Sequence, residues 1–141
     1  MNKYAAILCI LFMHCGGNSF RVLPQSKLYK PAHHAEIEEF IKKEFSLTEL
    51  TPIYYSLSLE DIQIQCNADY SAKELNALAI SACTDFETQR IWINEAGKDS
   101  CYHVVHELTH IALSITTGDE DFYHKSDTFA KGYHYCDEMG F

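Results

Sequence analysis

His106-Glu107-Leu108-Thr109-His110 is an HExxH motif lying inside a helical apolar repeat. Val104, Leu108, Ile111, Ala112 and Ile115 recur at helical offsets, the stripe of a helix packed against a core. At 100° per residue, the stripe centres well over 120° away from the direction of His106 and His110. The chain must therefore build a core against one face of this helix and leave the opposite face to a cleft. Asp99 or Ser100 suits the helix start as a cap. Gly118 suits its end, where a left-handed residue closes the last turn.

Two imidazoles one turn apart can grip a single Zn²⁺, and the carboxylate between them is placed to take a proton from an attacking water. A catalytic zinc needs a third protein ligand and one open position. His124, fourteen residues after His110, is the first histidine that a turn beyond Gly118 can bring back. Glu120, Asp127 and Glu138 are the acidic alternatives. His103, one turn before His106, would line the cleft. Tyr123, Tyr133, Tyr135 and His134 fall near the expected site, where a tyrosine or histidine donor could stabilise a tetrahedral oxyanion.

The segment from Val104 to Phe129 resembles the catalytic segment of SprT-like metallopeptidases, in which HExxH is followed by a loop of similar length, a third histidine and, after a short gap, an aromatic residue. The matching positions are His106, Glu107, His110, His124 and Phe129, with Lys125 standing where that family commonly has glycine. The metzincin spacing is excluded, because Thr116 occupies the position of its third histidine. The resemblance implies Zn²⁺ held by the three histidines, Glu107 as catalytic base and a peptide or protein substrate. It also implies a compact α+β, zincin-like domain whose small mixed or antiparallel sheet packs on the motif helix. Better-known members act on DNA–protein crosslinks, and nothing in this chain matches their DNA-binding parts.

The remaining elements are expected as follows. Ile37, Phe40, Ile41 and Phe45 predict a short amphipathic helix over His33 to Phe45, with His33-His34 as solvated linker. Ile53 to Cys66 reads as extended, clearest at the alternation Ile62-Gln63-Ile64-Gln65. Ser71 and Glu74 form a capping box for a helix running toward Cys83, with the residues near Cys83 expected to be extended already. Thr88 to Asn94 is the best strand, and its Arg90–Asn94 stretch is expected to border the cleft and hold a substrate extended. Phe129, Tyr133 and Cys136 share a face of a last helix.

The 141 residues suit one domain, and 20 acidic residues against 11 basic ones argue against a nucleic-acid partner. Lys3 and the apolar run from Tyr4 to Met13 read as a signal peptide over residues 1–15, too short to span a bilayer. Cys15, followed by small residues, is placed as in an acylated lipoprotein, so a lipid anchor is the expected membrane contact. Residues 16–31 read as a linker and 32–141 as the domain. Cys66, Cys83, Cys101 and Cys136 are an even set that permits three disulfide pairings and fits export, to a periplasm or outer membrane in a bacterium and to secretion otherwise. The rivals to a peptidase are a metal-binding lipoprotein that cuts nothing and an interaction module using its acidic surface.

Overall fold

The computed structural model describes residues 21–66, 81–119 and 124–141. The expected signal segment with Cys15, the capping box at Ser71, and Glu120 and Tyr123 lie outside the described residues. The chain runs β1 (Lys27–Tyr29), α1 (His34–Glu44), β2 (Ile53–Leu57), α2 (Leu59–Gln65), β3 (Ala82–Asp85), β4 (Arg90–Asn94), a 3-10 turn (Glu95–Gly97), α3 (Cys101–Thr117) and α4 (Thr128–Met139). The strands form one mixed sheet in the order β1-β2-β4-β3. β2 and β4 are parallel, while β1 and β3 pair antiparallel on the outside. This is a small α+β fold. Among the described residues no helix is long and apolar enough to cross a membrane.

The two-residue period of a strand explains how the sheet is covered. On one face Tyr54, Ile91 and Ile93 join Ile37 and Ile41 of α1, Cys136 of α4, and Val104, Leu108, Ile111 and Ala112 of α3. On the other face Trp92 and Leu57 pack with Ile62 and Cys66 of α2. β4 is thus buried on both faces, which is why Ile91-Trp92-Ile93 is an uninterrupted apolar run. The apolar stripe of α3 is buried as expected except at its end, where Ile115 is 48% exposed.

Three expectations are corrected here. Ile62–Gln65 is helical: Ser58 accepts the backbone N–H of Asp61 and donates to its carboxylate, a cap that starts α2 immediately after β2. The alternation there is a coincidence of helix phase, with Ile62 fully buried and Ile64 62% exposed. The expected linker 16–31 holds the sheet's edge strand β1, and Leu23 N–H donates to the Gln65 side chain. His33 and His34 are also structured: His33 stacks on Phe141, and His34 Nδ1 lies 3.0 Å from the Pro31 carbonyl oxygen. Near Cys83 the chain is extended, from Ala82 to Asp85, as expected there.

Two disulfides resolve the three possible pairings. Cys66–Cys83 ties the end of α2 to β3, and Cys101–Cys136 ties the first turn of α3 to the last turn of α4. Both suit an oxidising compartment.

A candidate metal centre

Helix α3 carries the motif. Its 17 residues contain no glycine or proline, and it closes on Gly118, whose left-handed φ of 72° lets its N–H reach the Ser114 carbonyl. Ser100 precedes the helix without a side-chain cap, and the Asp99 carboxylate instead accepts the N–H of Ala32. One helical turn apart, His106 and His110 bring their Nε2 atoms to 3.2 Å. The third imidazole comes from beyond the helix end: His124 Nε2 lies 3.1 Å from His110 Nε2. The ligand atoms of His106, His110 and His124 all lie within 4.8 Å of one another, a group that could hold a metal ion. His124 adopts φ 55°, a left-handed conformation uncommon outside glycine and tolerated by His more than by most residues. Such backbone tends to occur at functional sites.

Phe129, from the first turn of α4, floors the cluster, with its ring 5.1 Å from that of His106 and 4.8 Å from those of His110 and His124. Burial, and then the neighbouring His110, His124 and His103, push His106 down to about 3, so its ring is neutral at ordinary pH. Neutral imidazole is the form that ligates.

Glu107 is 6% exposed, and Thr84 of β3 donates a 2.6 Å hydrogen bond to its Oε2. Burial raises its carboxyl to about 7, against the lowering pull of the Thr84 hydroxyl. Thr84 went unseen in the sequence. Its signal lay downstream, where Asp85 accepts bonds from Glu87 N–H and the Thr88 hydroxyl, marking the turn of a β3–β4 hairpin. That hairpin also corrects the expected substrate strand. Arg90–Asn94 is paired on both sides, to β2 and to β3, and has no edge to offer. β3 is the outer strand beside α3, and among the described residues it pairs with β4 alone.

The other expected site residues separate. Tyr133 directs its hydroxyl to His106 Nδ1 at 2.6 Å, not to the converging Nε2 atoms. His103 stands apart from the cluster: its Nε2 meets Ser81 Oγ at 2.9 Å and its ring abuts Gly97, where a Cβ would come within 2.6 Å of it. His134 is 72% exposed and pairs with Glu138, which removes both from the site. Tyr135 stacks on Phe40 and donates to the Glu36 carbonyl on α1. Asp127 stands at the cap position of α4, outside the three-histidine group.

Comparisons with protein-family models, with curated proteins and with solved structures return no match.

Proposed function

We propose that the chain is an exported zinc-dependent peptidase of zincin-like fold, in which His106, His110 and His124 hold Zn²⁺ and Glu107 is the general base. The observation that carries this reading is the convergence of three imidazole Nε2 atoms beside a buried motif glutamate. The donor set fits the ion. Zinc–nitrogen bonds of about 2.0–2.1 Å in a tetrahedral site separate two ligand nitrogens by roughly 3.4 Å; His110 Nε2 lies 3.2 Å from that of His106 and 3.1 Å from that of His124, and all three ligand atoms fall within 4.8 Å of one another. When bound, Zn²⁺ supplies Lewis-acid polarisation of the scissile carbonyl and acidifies the attacking water.

The chain's own residues do the rest. Glu107 accepts the proton of the water and returns it to the leaving amine. Its carboxyl, which burial holds near 7 against the Thr84 hydrogen bond, takes the charged form beside any cation the histidines hold. Thr84 keeps that carboxylate aimed. Among the described residues the outer strand β3 pairs with β4 alone, and its other side is where an extended peptide can lie.

The test is metal analysis of the purified, folded protein together with a peptide-library digest run with and without chelator. Stoichiometric zinc and chelator-sensitive cleavage are expected. Zinc without turnover would leave a metal-binding protein that cuts nothing, and a folded protein that takes up no metal overturns the reading. His124→Ala should weaken zinc binding on the order of a hundredfold. A four-ligand site delivers roughly 10–16 kcal/mol, so one ligand accounts for about 3 kcal/mol. Competition with a chelating dye measures this.

A further inference from the structure

The two ring nitrogens of His106 face different partners. Nε2 points at His110 Nε2, while Nδ1 lies 2.6 Å from the Tyr133 hydroxyl. A neutral imidazole carries one proton, and a ring that presents a lone pair at Nε2 carries it on Nδ1. The Tyr133 oxygen must then be the acceptor. Were Tyr133 the donor to Nδ1, the ring proton would sit on Nε2, aimed at the other imidazoles, and the metal would find no lone pair.

The helix that carries Tyr133 is held close to α3 by its neighbours in sequence. Gly132 lies against Val105, where a Cβ would meet Val105 Cγ2 at 2.8 Å, so any larger residue would push α4 outward. One turn later Cys136 is bonded to Cys101. The Tyr133 ring runs nearly parallel to that of His106, at 10° and 6.2 Å, and leans on Tyr102, whose own hydroxyl is bonded to Asp137. The hydroxyl is therefore delivered to Nδ1 by packing on both sides.

We infer that Tyr133 is the positioning residue of the site: its hydroxyl accepts the Nδ1–H of His106 and fixes the ring in the tautomer and orientation that turn Nε2 toward a metal ion. This role rests on reading the three histidines as ligands. It gives the close approach at Gly132 and the Cys101–Cys136 bridge a shared purpose, since both set the distance between α4 and the motif helix. Partners that orient a liganding histidine from behind typically contribute 10–100-fold in metal affinity.

The experiment compares wild type with Tyr133→Phe, which keeps the ring and removes the acceptor. Zinc affinity is measured by dye competition, and the His106 tautomer by ¹⁵N NMR of the metal-free protein. Wild-type His106 should carry its proton on Nδ1. The variant should lose that single tautomer and bind zinc 10–100-fold more weakly. A variant that binds zinc as tightly as wild type and keeps the Nδ1 proton overturns the inference. So does a wild-type ring protonated on Nε2, a result that needs no variant to fold. A wild-type protein that takes up no zinc, while His106 still carries its proton on Nδ1, fails at the ligand reading and removes the positioning role with it. The tautomer measurement thus separates the two failures.

Discussion

Glu107→Gln should retain stoichiometric zinc and lose peptide cleavage by about 10²–10⁴-fold, the contribution of a positioned general base. Glutamine fills the same space, and its carbonyl can still accept the Thr84 hydroxyl, but it takes no proton from water. Parallel metal analysis and peptide cleavage check this, and a variant cutting at the full rate would remove Glu107 from the role. The same substitution has a second signature in the metal-free protein. Burial raises Glu107 from 4.5 to about 7, so the unfolded chain ionises first and wild-type stability falls as pH climbs through that window. The loss amounts to about 3 kcal/mol. His106 works in the opposite sense: its pKa is lowered from 6.5 to about 3, so it adds stability as pH rises between those values. Wild type therefore gains little between pH 4.5 and 6.5, where the two slopes oppose. Glu107→Gln keeps only the rising arm, and its advantage over wild type should grow steadily from pH 4.5 to 7 in urea denaturation with chelator present.

Replacing Cys101 and Cys136 together by alanine should cost about 4 kcal/mol of stability, the chain-entropy value for a loop of this length. The bridge spans 35 residues and joins the two helices that frame the site. Both cysteines are buried in the main core, so the change is felt by packing as well as by chain entropy. A domain of this size has roughly 5–15 kcal/mol in hand, so the loss is a large part of the whole. Because His124 and Tyr133 both lie between the bridged positions, zinc affinity should fall alongside Tm. Removing Cys66–Cys83, which closes 17 residues on the opposite face of the sheet, should cost about 3 kcal/mol and leave zinc affinity unchanged. Equal effects of the two bridges on zinc binding would mean that the site does not depend on how α4 is held.

The motif helix was legible because two independent patterns, the HExxH spacing and the apolar stripe, agree on its phase. The approach of His124 to the motif pair was legible once a third ligand was sought among the histidines that follow the helix. Strand β4 was recognisable, but its place was not. Ile91-Trp92-Ile93 buries both faces, a mark of an interior strand that outweighs its position before the motif. The alternation over Ile62–Gln65 misled because a strand and a short helix can both bury one isoleucine of two. The Ser58–Asp61 cap was the better signal. The Asp85–Thr88 turn signals the β3–β4 hairpin, but not that its Thr84 meets a helix residue 23 positions on. Tyr133 stood as one of several residues near the site with no single role, because its helix position does not say which nitrogen of His106 its hydroxyl meets.

The two covalent bridges follow one another along the chain, 66 with 83 and then 101 with 136, neither nested nor interleaved. Of the ways four thiols can combine, this is the arrangement in which each ring closes without waiting for the other. A polypeptide made from its N-terminus can seal the first ring before the second pair is complete, and nothing already joined needs to be reopened.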